Sequence, residues 1–185
     1  MLDEEIDKKK DEETLTAVDW IKSIVIALVL ALIIRTYVAS ATTVSGTSMN
    51  DTLQDRDVVL INKMVNLDNI ERGDIIVFDA PDDKDKDYIK RVIGLPGDKI
   101  DIFEGSVYIN GEKLSEPYIN TDYTYAYDQI ANQWIVGEDE LFVMGDNRIP
   151  GKSSDSRIFG TILKDSLVGR AVFRIYPFST FGFLK

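Results

Sequence analysis

At 185 residues the chain suits one modest domain plus an anchor, and two globular domains would crowd it. Its 21 Lys and Arg against 32 Asp and Glu give a net charge of −11, which argues against a nucleic-acid partner, because phosphate binding calls for clustered cations. With no histidine and no cysteine, it offers no disulfide framework, no usual ligand set for zinc or copper, and no Ser-His-Asp triad.

Residues 1–16 are dense in Asp, Glu and Lys, which predicts a disordered or fraying tail. From residue 17 to 38 the character changes to an apolar span. Trp20 and Tyr37 bracket it, and at about 1.5 Å per residue these aromatics stand roughly 26 Å apart, close to the depth of a bilayer's hydrocarbon. Lys22 and Arg35 lie just inside them, where long stems can snorkel to headgroups. Lys8, Lys9, Lys10 and Lys22 outweigh Arg35 across the span, so the positive-inside rule puts the amino terminus in the cytoplasm and residues 39–185 outside the cytoplasmic membrane. Two readings compete: a cleaved signal peptide, because Ala39-Ser40-Ala41 has a small-x-small processing pattern, and a buried core helix, which fits the flanking aromatics and cations poorly.

Beyond residue 38 the pattern is short β-like runs separated by turn residues. Strands are expected at 58–61, 74–78, 88–93, 100–103, 107–109, 141–144 and 171–176. Glu104-Gly105-Ser106 and Asn110-Gly111 are turn signals, so residues 100–114 read as a β-meander. Residues 112–137, rich in Tyr but weakly periodic, are expected to form a small inserted cap. The acidic run 82–87 lacks the Gly and closing Glu of a calcium loop and reads as a solvated loop. The soluble part is therefore mainly β, with no cofactor and no metal expected.

Ser48 stands a short way past the span. A serine is a weak nucleophile and needs a base within hydrogen-bond reach; without histidine, only a lysine or a carboxylate remains. Lys90, in Lys90-Arg91-Val92-Ile93-Gly94-Leu95-Pro96-Gly97-Asp98, is the candidate. At its ordinary pKa of about 10.4 a lysine is neutral only about once in 2,500 molecules at pH 7, so it needs desolvation. A drop of about three units corresponds to roughly 4 kcal/mol, and the apolar strand context of Tyr88-Ile89 and Val92-Ile93 can supply it. In a strand, Lys90 and Arg91 point to opposite faces, so one is buried while the other is solvated or paired.

Four segments in order, Ser45-Gly46-Thr47-Ser48-Met49-Asn50-Asp51-Thr52-Leu53, Gly73 to Phe78, Lys90 to Asp98, and Gly145-Asp146-Asn147-Arg148 with Ser153 to Gly160, follow a single apolar span. Together they resemble the type I signal peptidase family over nearly all of the chain after the tail. The resemblance implies a coiled β-sheet catalytic domain, shared with SOS-type self-cleaving repressors. It implies a membrane-anchored serine endopeptidase that removes signal peptides from exported preproteins after small residues, with shallow pockets at the first and third positions before the cut. It implies Ser48 as nucleophile and Lys90 as general base. Gly46 would permit the turn presenting Ser48 and Met49 would shape the substrate pockets. Arg91 would pair with Asp146, Ser153 would hydrogen-bond and orient Lys90, and Asp155 with Arg157 would form a supporting salt bridge. The Ser48 backbone N–H is the candidate oxyanion donor; the hydroxyl that some relatives carry two places earlier is missing, since Gly46 stands there.

Two departures from the pattern stand out. Asp51 replaces a common proline, and it is expected to face solvent because a carboxylate beside Lys90 would raise its pKa. Four residues, Ile149-Pro150-Gly151-Lys152, separate Arg148 from Ser153 where two are usual, and Pro-Gly predicts a turn there. These departures motivate an alternative function, a catalytically impaired membrane-tethered binding module of the same fold. A repressor is disfavoured by the absence of a helix-turn-helix segment, and penicillin-type Ser-x-x-Lys enzymes are excluded because no serine has lysine three positions later. The carboxyl-terminal Phe181-Gly182-Phe183-Leu184 is expected to pack as a final strand, the other choice being contact with lipid.

Overall fold

The computed structural model describes residues 2–127 and 132–184, with side chains from residue 17 onward. The chain divides into two units, residues 1–39 and 40–185. In the first, helix α1 runs Leu2–Ile33 and ends in a π-helical turn, Ile34–Val38. Helix over residues 2–16 corrects the expected disordered tail. The sequence there has no Gly or Pro, and Glu4 and Glu5 each precede a lysine by four residues, the spacing and order that support a helix on its own. Ala17–Val38 is long and apolar enough to cross a membrane by length and composition. Trp20 and Tyr37 are both exposed.

The second unit is mostly β. In chain order its strands are β1 (Ala39–Thr43, whose first residue belongs to the first unit), β2 (Val58–Asn62), β3 (Ile75–Asp79), β4 (Asp87–Gly94), β5 (Lys99–Phe103), β6 (Ser106–Ile109), β7 (Glu112–Lys113), β8 (Gln133–Ile135), β9 (Glu140–Met144), β10 (Ile162–Leu163), β11 (Leu167–Tyr176) and β12 (Gly182–Phe183). A one-turn helix, α2 (Ser156–Phe159), follows β9. The larger sheet has the order β1-β2-β11-β3-β4-β9-β10, with β12 also pairing to β11. Register shifts in β11 and β4 bend it, as bulges do. The smaller sheet is β7-β6-β5-β8.

β9 explains why the two sheets share a core. Leu141 and Val143 pack with Ile76, Phe78 and Val92, whereas Phe142 and Met144 turn the other way onto Ile93, Ile100, Ile102 and Val107. Apolar residues on both faces give the strand its unbroken Leu-Phe-Val-Met run. A third cluster, Val44, Met49, Leu53, Val59, Ile75 and Ala171, lies around the Ser48 loop.

The expected strands all appear, and the meander is β5-β6-β7. The segment 112–137 is tied into the smaller sheet at both ends. It starts in β7 and ends near β8, both strands of the smaller sheet, because their backbones complete the ladders of β6 and β5. Residues 128–131 of that segment lie outside the described residues. The carboxyl-terminal run does pair as a strand, Phe173 opposite Phe183, with their rings 4.9 Å apart and edge-on.

Candidate active site

Ser48 sits in the loop between β1 and β2. Gly46 has φ of +91°, a left-handed conformation that disfavours side chains, and its N–H donates to Asp55 Oδ1 at 2.8 Å. A following turn is closed by Leu53 N–H to the Met49 carbonyl at 2.8 Å. That spacing puts Met49 and Leu53 on one side, both essentially fully buried in the third core cluster. Met49 therefore packs into the core beneath the Ser48 loop. With those two side chains as anchors, Ser48 is left half-buried in the wall of a groove.

Lys90 lies in β4 opposite Ile76 of β3. Its Nζ donates to Ser48 Oγ at 2.9 Å and to the Ile89 carbonyl at 2.9 Å, and stands 5.0 Å from the Tyr88 ring centroid. Only 4% of Lys90 is exposed. This burial pulls its pKa from 10.5 down to about 8, although the charges of Asp155, Asp82 and Asp146 work in the opposite direction. At pH 7 about a tenth of such lysines are neutral, against about one in 2,500 in water. Asp51 is exposed, as expected from the need to keep carboxylates away from this amine.

Arg91, on the other face of β4, grips Asp146 with Nε to Oδ1 at 2.9 Å and Nη2 to Oδ2 at 2.7 Å. Both side chains are at most 1% exposed. Thr52 Oγ1 donates to the same carboxylate, and Arg91 also donates to the Gly73 carbonyl, so the Ser48 loop, β3 and β9 meet at one ion pair. Asp155 and Arg157 form a second buried two-point pair. Burial by itself would raise the Asp155 pKa, but Arg157, the Ser153 hydroxyl and the Gly145 N–H hold it below the ordinary carboxylate value.

Ser153 belongs to the Asp155–Arg157 cluster. Its hydroxyl donates to Asp155 Oδ2 at 2.7 Å rather than holding Lys90, whose own donors go to Ser48 and Ile89. The charged oxygen is the stronger acceptor, and it lies two residues away on the same turn.

Several contacts were missed in the sequence. Asn147 N–H donates to the Ser48 carbonyl at 3.0 Å and its Nδ2 to the Thr47 carbonyl at 2.9 Å, tying the β9 turn to the backbone of the Ser48 loop. Gly145 makes that approach possible, since a Cβ there would stand 2.4 Å from the Ser48 carbonyl oxygen and 2.3 Å from Ser153 Oγ. Arg148, fully buried, pairs with Glu116, and Tyr118 bridges from Glu116 to a position stacked 4.0 Å from Arg91. Asn147 and Arg148 stand inside a motif already singled out. Nothing local marks Glu116 or Tyr118.

A groove of about 250 Å³ runs past the Ser48 and Lys90 side chains, between residues 42–48 on one side and Asp87 to Lys90 on the other. Val77, Lys152 and Ser154 complete its wall. The Ser48 N–H donates no hydrogen bond among the described residues, leaving it available to an incoming oxygen. Among the described residues no cluster of acidic side chains could hold a metal ion.

A family model described as "Signal peptidase, peptidase S26" matches residues 17–176. The chain belongs to the signal peptidase family. It is 38% identical over 188 residues to signal peptidase I S of Bacillus subtilis strain 168, covering 97% of each chain. It is 37% identical over 180 residues to signal peptidase IB of Staphylococcus aureus strain MRSA252, covering 89% of this chain and 92% of the relative. A solved signal peptidase I from Enterococcus faecalis V583 is 35% identical, with a TM-score of 0.48, and matches 55% of this chain and 96% of its own. Membership of this peptidase family makes the groove the natural place to look for peptide cleavage.

Proposed function

We propose that the chain is a membrane-anchored signal peptidase I that cuts signal peptides from exported preproteins with a Ser48–Lys90 dyad. The observation that carries this is the 2.9 Å contact between Lys90 Nζ and Ser48 Oγ in a chain without histidine or cysteine. The neutral amine accepts the Ser48 proton as Oγ attacks the scissile carbonyl. Its hydrogen bond to the Ile89 carbonyl turns the lone pair toward Oγ. The Ser48 N–H donates to the oxyanion that forms, and Gly46 offers no second hydroxyl. Lys90 then gives its proton to the departing amine, and repeats the base role when water attacks the acyl-enzyme. Arg91–Asp146 and Asp155–Arg157 hold the elements that carry the two reactive groups.

The groove's modest volume favours small side chains next to the cut. Ala17–Val38 serves as the anchor, with the lysine excess before it placing the amino terminus in the cytoplasm and residues 39–185 outside. The joined Ser48 and Lys90 side chains count against an impaired binding module.

The test is cleavage of a model preprotein by the full chain in detergent. The expected result is a single cut after the signal peptide's last small residue, unaffected by EDTA. No cut, or a cut lost to EDTA and restored by a divalent cation, would contradict the proposal.

A further inference from the structure

The surplus loop residues 149–152 are held in place at three points. Ile149 N–H donates to Asn147 Oδ1 at 3.3 Å, Lys152 N–H to the Ile149 carbonyl at 3.1 Å, and Gly151 N–H to the Tyr127 hydroxyl at 3.0 Å. Gly151, at φ of +74°, completes the expected Pro-Gly turn. Tyr127 is itself placed against the site, its ring centroid 5.1 Å from the Arg157 guanidinium carbon. Through these contacts the extra length carries Lys152 into the wall of the groove that holds Ser48 and Lys90.

Three charged side chains line that groove: Asp87, Lys90 and Lys152. Lys90 is committed to Ser48 and Ile89. The Lys152 ammonium has no ion pair and no hydrogen bond among the described residues, although the chain carries 32 acidic residues. It is an exposed cation on a tethered loop, beside the place where a peptide would lie. A molecule of net charge −11 repels acidic substrates at long range, and a local cation offsets this only within its own short reach.

We infer that Lys152 is a specificity-determining residue, selecting an acidic side chain at one substrate position near the cut. This rests on the peptidase reading above and adds a charge preference to it. The preference is confined to one position because Asp87 lines the same groove and repels a carboxylate elsewhere along it.

The experiment uses the purified full chain in detergent and uncharged peptides spanning a cut after Ala-x-Ala. A single Asp, or its isostere Asn, is placed in turn at the position between the two alanines and at each of the three positions after the bond. The wild type is expected to show an Asp-to-Asn ratio in kcat/KM of about two to five at one position, the range of an exposed ion pair, and the ratio should fall with added salt. Lys152→Gln should bring the ratio to one, and Lys152→Glu should take it below one. Tyr127→Phe, which removes the acceptor for Gly151, should lower the ratio with Lys152 still present. A wild-type ratio of one at every position, or a preference that survives Lys152→Gln, would overturn the inference while leaving the peptidase reading standing. If the wild type cuts none of the peptides, that reading falls and the inference with it.

Discussion

Replacing Ser48 by alanine, or Lys90 by alanine, is expected to cut turnover of a model preprotein by about a thousandfold to a millionfold, because members of a catalytic pair act as one unit. The double variant should be no worse than either single one. Lys90→Arg should fail as completely, since guanidinium stays protonated at every pH the protein survives. Ser48→Ala should fold normally, as the side chain is half-buried and its only described partner is Lys90. Initial rates on purified variants, with circular dichroism as the control for folding, check this. Turnover by Lys90→Arg within about tenfold of the parent would mean that another base acts on Ser48.

The second large effect concerns stability. Asp146→Ala leaves the Arg91 guanidinium, 1% exposed, without its acid, and breaking a buried pair in this way costs about 3–5 kcal/mol. Its remaining acceptors, the Gly73 carbonyl and Thr52, are neutral. A domain holds only about 5–15 kcal/mol in all, so the variant should melt about 10 °C or more below the parent. Lys86→Ala supplies the contrast: its ion pair with Asp83 is largely exposed, and solvent and salt screen such a pair so that its loss should barely move the melt. Thermal melts of the three proteins in the same detergent decide the matter. An Asp146→Ala melt within a degree or two of Lys86→Ala would show that the pair is not a structural keystone.

What the sequence revealed, and what it hid, follows from the range of each signal. The Leu141 to Met144 run and the turns around residues 100–114 are local patterns, and both became the expected strands. Ala39 to Thr43 carries no bulky apolar residue, so β1 could not be recognised by composition and looked instead like a processing site. The strand β10 is two residues long, too short for any periodicity. Ser48 and Lys90 could be singled out because the absence of histidine left few bases to choose from. The direction of Met49 and the partner of Ser153 depend on how a turn packs, which adjacent residues do not encode. Glu116 meets Arg148 across 32 residues of mostly irregular chain, and nothing in either neighbourhood announces the pairing.

If a buried lysine is the base, the pH dependence of kcat/KM must report its titration. For Lys90 the proton must be off before Ser48 can give up its own, so activity should climb as pH rises through about 8 and then level off. No histidine or cysteine exists to imitate that limb. A rise of tenfold per pH unit below about 8, followed by a plateau, is the predicted result. A profile flat from pH 6 to 9, or one that rises through pH 4 to 5 like a carboxylate, would mean that Lys90 is not the base.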